Sequence, residues 1–287
     1  MIIGPLGSEK DVRRYDRSTP RNPETGIIVG AEPRDLGPED ASCAILFVHG
    51  FSGTGNNYHD LPDRVADTGW RTRVMLLPGH GTSPFTFETT TADELLSAVI
   101  QELRAMRDRY EKLVLVGHSM GGALATLAAS QMPLDGLILA APYYNVTFKW
   151  YYVLTAEQWA KMLSPLIRWI HAPAENQPVN RREVRTQILS YPWIPTRAFL
   201  TAMSLAERAR QLETLHRIYC PTLLIHSTKD NVTSPETAAK AFAEIPSANK
   251  RAIWIEHSDH IIFWDYDREQ VAEETLAFLK QVGSTAS

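Results

Sequence analysis

The stretch Lys112-Leu-Val-Leu-Val-Gly-His-Ser-Met-Gly-Gly122 limits the possible folds of this chain more than any other. The apolar run Leu113 to Val116 has the pattern of a buried strand, and Gly122 to Ala129, small and alanine-rich, has good helix propensity. Gly117-x-Ser119-x-Gly121 stands between them, so the expected order is strand, sharp turn, helix. Such a turn strains the backbone at its apex and crowds the positions two before and two after, where glycine is required. Ser119 is expected to be pushed out into solvent at that apex. The first N–H groups of the following helix lack partners within it. With the positive end of the helix dipole, they lie beside the serine hydroxyl, where an oxyanion would develop. A bare glycine-x-serine-x-glycine match arises by chance; the flanking strand and helix tie this one to chemistry.

The strand pattern recurs along the chain. Ala44 to Val48 is a continuous apolar run ending in His49-Gly-Phe-Ser-Gly53, and Thr72 to Leu77 closes in Pro78-Gly-His-Gly-Thr-Ser-Pro84. Gly136 to Ala141, Pro221 to His226 and Arg251 to Ile255 complete the set. Helices are expected over Asn57 to Asp67, Thr91 to Tyr110, Pro235 to Ala243 and Asp267 to Val282. The second carries Leu95, Val99, Leu103 and Met106 at helical spacing, with a Thr91/Glu94 capping pair. Strands alternating with helices at this rhythm imply an α/β fold with a mostly parallel, doubly wound sheet, helices on both faces. Residues 1–40, rich in Pro, Gly and charge, read as irregular apart from a short strand at Gly26 to Gly30. Between Pro142 and about Leu205 the rhythm breaks. That interval holds four of the seven tryptophans, Trp150, Trp159, Trp169 and Trp193, with Tyr143, Tyr144, Tyr151, Tyr152 and Tyr191. It shows no buried-strand run and two helix-like segments, Ala156 to Ile170 and Arg181 to Leu189. The expectation is one domain, core about 24–141 and 206–282, with a mainly helical cap inserted at about 142–205.

In an open parallel sheet the site lies at the carboxyl ends of the strands, so the residues just after each strand matter most. A serine hydroxyl needs a general base within hydrogen-bond reach, held by a third group. The loop after Leu223 to His226 offers Asp230, whose plain alternative is a turn aspartate. The loop after Arg251 to Ile255 offers Glu256-His-Ser-Asp-His260. His260 lies farther along it and can reach back over Ser119, whereas His257 sits at the strand end. Asp259 is the weaker orienting acid, because chain neighbours seldom point at each other. The order Ser119, Asp230, His260 is the one that accompanies this serine turn. Two N–H donors for the oxyanion are expected from the backbones of Met120 and Phe51, with His49 bracing the loop that carries Phe51.

Taken together, His49-Gly-Phe-Ser-Gly53, Leu77-Pro-Gly-His-Gly81, Gly117-His-Ser-Met-Gly-Gly122, Asp230-x-Val232 and Asp259-His260 resemble the α/β-hydrolase superfamily. Within it, the chain is similar to the carboxylesterase and monoacylglycerol-lipase-like branch of bacterial serine hydrolases. The resemblance spans roughly Cys43 to Leu279, includes the position of the cap after the sixth family strand, and leaves residues 1–40 uncovered. It implies a serine carboxylic ester hydrolase working without cofactor or metal, with Ser119, His260 and Asp230 in the roles reached above. Trp254 and the Phe263-Trp264 pair depart from it. They make the histidine region unusually aromatic, which points to a narrower pocket near the base.

Composition bears on what the chain does not do. With 44% hydrophobic and 22% charged residues and a net charge of −4, it has no strong field to recruit nucleic acid or an anionic membrane. No stretch approaches twenty apolar residues, and the amino terminus lacks a basic start. Cys43 and Cys220 read as reduced thiols. A cytoplasmic enzyme acting on a small-molecule ester is expected, with oligomeric state left open. Gly53-x-Gly55 lacks the third glycine and the acidic residue of a dinucleotide loop. A serine at 119 argues against dehalogenase and epoxide-hydrolase chemistry, which needs an acidic nucleophile. Amide or peptide cleavage, carbon–carbon bond hydrolysis and perhydrolysis use the same triad and stay open beside hydrolysis of short- to medium-chain esters or monoacylglycerols. A ligand receptor on this fold would have no need of a base and an acid behind the serine.

Overall fold

The computed structural model describes residues 7–147, 162 and 167–284. In chain order the strands are β1 (Arg34–Leu36), β2 (Cys43–Val48), β3 (Arg71–Val74), β4 (Lys112–His118), β5 (Gly136–Ala140), β6 (Trp169–His171), β7 (Trp193–Pro195), β8 (Thr222–Ser227) and β9 (Lys250–Ile255). The helices are α1 (Glu9–Ser18), α2 (Leu61–Ala66), α3 (Pro84–Thr89), α4 (Ala92–Arg107), α5 (Met120–Ala129), α6 (Thr196–Ala209), α7 (Leu212–Leu215), α8 (Pro235–Glu244) and α9 (Arg268–Ser284). Seven strands make one sheet in the order β1-β3-β2-β4-β5-β8-β9, parallel throughout except for β1 against β3.

The continuous apolar runs follow from burial on both faces. Successive side chains of a strand point to opposite sides. Leu46, Val48, Leu113, Leu115, Leu137 and Leu139 accordingly join one core cluster with α4, α5 and α8. Their neighbours Ile45, Phe47, Val114, Val116 and Ile138 join the other, with α2 and α9. Helix α4 has the expected Thr91/Glu94 capping box, and Leu95, Val99, Leu103 and Met106 are all buried. Burial of each such side chain stabilises the fold by roughly 1.5–3 kcal/mol.

Strand order fixes where a site can form. From β2 the chain moves outward to β3, then returns across β2 to β4 and continues the other way to β5. The helices that follow β2 and β4, α2 and α5, pack on opposite faces of the sheet, which makes this the switch point where sites form in open parallel sheets. β2 carries the Phe51 loop and β4 carries Ser119.

Several expected elements differ. No strand forms at Gly26 to Gly30; both glycines have positive φ, 69° and 88°, and only a single bridge joins Ile28 to Arg21. The edge strand is instead the short Arg34–Leu36. The helix expected over Asn57 to Asp67 is split into a 3-10 turn at Gly55–Tyr58 and α2, with His59 at φ 53° between them. Within the interval expected to be a helical cap, β6 and β7 pair antiparallel, and Arg182–Gln187 is 3-10 rather than α-helical. Most of the expected helix Ala156 to Ile170, with Trp150, Trp159, Tyr151 and Tyr152, lies outside the described residues. Helix α6 lies outside the expected elements. Its Ala202, Leu205 and Ala209 join the core cluster beside α4 and α5, so the boundary drawn near 205 falls inside a core-packed helix.

Candidate active site

Ser119 stands between β4 and α5 with φ 56° and ψ −120°. That strained conformation is held by its own backbone: the N–H donates to Ala140 O, and the carbonyl accepts from Gly122, Ala123 and Tyr143. The two motif glycines are required by close approach. A Cβ on Gly117 would lie 2.1 Å from the Gly121 carbonyl oxygen, and one on Gly121 would lie 2.0 Å from that of Val48. Since the obstacle at Gly121 is the backbone of β2, Gly121→Ala is expected to lower stability by about 3 kcal/mol and to remove activity. A urea titration beside an ester assay checks this; a variant with near-native midpoint and turnover would contradict it.

Three strand ends meet at the serine. His260 Nε2 is 2.8 Å from Ser119 Oγ, and His260 Nδ1 is 2.8 Å from Asp230 Oδ2. All three residues are buried, so Ser119 does not stand out into solvent as the turn alone suggests: neighbouring loops, the one carrying Gly50 among them, close over it. Asp230 Oδ1 accepts the Val232 and Thr233 N–H groups at 2.7 and 2.8 Å, and Oδ2 also accepts the Thr233 hydroxyl at 2.8 Å. Burial alone would push the His260 pKa down and the Asp230 pKa up. Their mutual attraction, with the donors on Asp230, outweighs it. His260 is held above its ordinary value and Asp230 below. Nδ1 thus carries a proton toward the carboxylate, and in the neutral ring Nε2 is free to accept the serine proton.

The loop after β2 lies directly against the serine, since a Cβ on Gly50 would come 3.0 Å from Ser119 Cβ. His49 braces it: Nδ1 donates to the Gly50 carbonyl, and Nε2 accepts the Leu77 N–H, both at 3.0 Å. Burial, with the nearby His80, keeps His49 neutral, well below its ordinary pKa. Beneath the loop, the buried Tyr58 hydroxyl donates to Val48 O at 2.6 Å. Phe51 packs between Phe87 and Phe199, ring centroids 5.2 and 4.8 Å away. Met120 is the first residue of α5, so its N–H has no partner four residues back in that helix.

Of the alternatives, His257 turns away. Its side chain is 73% exposed and pairs with Asp267 at 3.0 Å. The Asp259 carboxylate accepts from Asn231 rather than meeting His260. Asp265 carries no motif in the sequence, yet it joins the histidine loop to the segment around Asn180: its carboxylate accepts the N–H groups of Asp259, Asn180, Arg181 and Tyr266. Tyr191 is a second tie, donating to Gly79 O and accepting from Thr82 N–H. No motif marks either residue.

Phe263 packs on Tyr58 and His118, Trp264 on His59, and Trp254 is partly exposed on β9. A cavity of about 630 Å³ lies at the opposite ends of the strands, beside Cys43, Trp70 and Lys280. Among the described residues no group of three or more His, Cys, Asp or Glu side chains is arranged to hold a metal ion, and no helix is long and apolar enough to cross a membrane.

A family model described as serine aminopeptidase S33 matches residues 39–267. The chain is 27% identical over 253 residues to a thermostable monoacylglycerol lipase of Bacillus sp. (strain H-257), covering 88% of this chain and 95% of that one. It is 20% identical over 241 residues to a carboxylesterase of Bacillus subtilis (strain 168), covering 83% and 93%. A solved metagenome-derived lipolytic enzyme superposes with a TM-score of 0.76 at 27% identity, covering 89% of this chain and 99% of the other. The chain belongs to the serine aminopeptidase S33 family, and it is an α/β-hydrolase of the esterase and lipase type.

Proposed function

We propose that Ser119, His260 and Asp230 are nucleophile, general base and orienting acid, and that the Met120 and Phe51 N–H groups receive the oxyanion. The observation that carries this is the pair of 2.8 Å contacts linking side chains from the ends of β4, β8 and β9. Ser119 Oγ attacks the ester carbonyl carbon while its proton passes to His260 Nε2. Asp230 stabilises the imidazolium so formed. Collapse of the tetrahedral intermediate expels the alcohol, which takes the proton from Nε2 and leaves an acyl-serine. Water, deprotonated by His260, then attacks the acyl carbon and releases the acid.

For substrate, we infer esters of short to medium acyl chain, including monoacylglycerols. Supporting this are the relative named a monoacylglycerol lipase and the apolar wall of Phe51, Phe87 and Phe199 beside the oxyanion loop. The segment from Pro142 to Pro195 is proposed as the cap, α6 being counted with the core because its buried face packs there. The free thiols of Cys43 and Cys220 fit a reducing compartment such as the cytoplasm.

Turnover of p-nitrophenyl esters from acetate to palmitate, beside matching anilides, tests the substrate reading. One methylene in a fitted apolar pocket changes kcat/KM by about 10- to 200-fold, so the profile is expected to peak between the extremes. A peak at either end would overturn the chain-length inference, and faster anilide turnover would favour amide cleavage, the activity in the family's description.

A further inference from the structure

We propose that the Thr233 hydroxyl is a positioning group for the acid of the triad, and that it sets how tightly His260 holds its proton. The inference rests on the roles proposed above for Ser119, His260 and Asp230.

Thr233 is fully buried at the turn after β8, and it grips both oxygens of Asp230. Its N–H donates to Oδ1 at 2.8 Å, which together with the Val232 N–H is an ordinary aspartate turn. The turn does not need the hydroxyl. Yet Oγ1 lies 2.8 Å from Oδ2, the same oxygen that accepts His260 Nδ1–H at 2.8 Å. Two donors therefore share one carboxylate oxygen.

The surroundings decide where the hydroxyl proton points. Ala141 O, His226 Nε2 and His260 Nδ1 all lie 3.4 Å from Oγ1. His226 Nδ1 is 3.0 Å from the Ser227 carbonyl, which can only accept, so Nδ1 carries the proton and Nε2 is bare. Burial holds His226 neutral against the pull of Asp230, so it sends no second proton toward Thr233. The nearest acceptor is also the charged one, and it takes the hydroxyl proton.

Donation by Thr233 draws charge from Oδ2 and so weakens the hold of Asp230 on the imidazolium. Without it, Asp230 would bind protonated His260 more tightly, and the base would be lost at a higher pH. Among the described residues, the other ionisable groups facing His260 are Asp259, its chain neighbour, and His118, whose ring is 5.0 Å away. Burial first, and then the neighbouring His260, keep His118 at about 3, so it does not titrate alongside the base.

The test is kcat/KM for an aryl ester against pH in wild type, Thr233→Val and Thr233→Ser. Valine keeps the shape without the donor; serine keeps the donor. Thr233→Val is expected to move the acid limb upward by about half to one pH unit, and Thr233→Ser to leave it in place. A purely structural role would lower the melting temperature without moving the limb, and an unmoved limb in Thr233→Val overturns the proposal. Should valine not fold, Thr233→Cys, a weak donor of similar volume, is read by the same criterion. Labelling by a fluorophosphonate separates the two layers. An unlabelled Ser119 in wild type would sink the triad itself, whereas a labelled Thr233→Val enzyme with a wild-type limb would sink the Thr233 role alone.

Discussion

Ser119→Ala is expected to reduce ester turnover by about 10⁵- to 10⁶-fold, leaving only what the oxyanion donors and binding supply. The fold should barely change. Alanine keeps the Cβ in the same left-handed conformation, φ 56°, so the strain of the turn is unaltered. What is removed is one side-chain hydrogen bond, to His260, worth about 1 kcal/mol net. The backbone bonds to Ala140, Gly122, Ala123 and Tyr143 remain. Calorimetry beside single-turnover kinetics checks both halves. A variant that keeps a tenth of wild-type turnover in a preparation free of contaminating esterase would end the nucleophile assignment.

The base should be nearly as indispensable. His260→Ala is expected to cost about as much as loss of the serine, because the hydroxyl would face no acceptor. His257→Ala is expected to stay within about twofold of wild type, since that ring faces solvent and its partner is Asp267. Reversal of that ranking would mean that the loop is arranged differently in the working enzyme. The pH profile follows the same geometry. In the proposed role His260 must be neutral to accept the serine proton, and its pKa is raised above the ordinary histidine value, so kcat/KM should fall as pH drops through that raised value. The stability link runs the other way: protonated His260 stabilises the fold fully below the ordinary histidine value, and this contribution is lost as pH rises through the raised native one. Activity thus appears over the window in which that stabilisation fades. Asp230→Asn removes the charge that opposes burial, so it should move the acid limb downward while costing about 10⁴-fold in turnover. An acid limb in Asp230→Asn at or above the wild-type position would contradict this account of the pair.

Some of this was legible in the chain itself. Leu113 to Val116 followed by Gly117-x-Ser119-x-Gly121 specifies a strand, a strained turn and a helix, because those events are local: periodicity, propensity and the room left by a missing Cβ. The buried strands could be read for the same reason, since a run apolar on both faces fits only the middle of a sheet. Even the proximity of His260, rather than His257, to Ser119 follows from distance along a loop. Segments with weak local patterns are not legible in this way. Arg34–Leu36 is polar and three residues long, and it is a strand only because β3 offers its edge. β6 and β7 exist only as each other's partner. Helix α6 was hidden by its place at the end of an aromatic-rich interval, and its packing beside α4 and α5 identifies it as core. The tertiary structure alone decided what surrounds the reactive groups. It brings residues 119, 230 and 260 within hydrogen-bond reach across three parallel strands. It also sets Asp265 between two loops and aims the Thr233 hydroxyl at a carboxylate oxygen. Those contacts depend on strand order and loop direction, which side-chain periodicity does not encode, and a buried carboxylate's partners are known only once burial has chosen them.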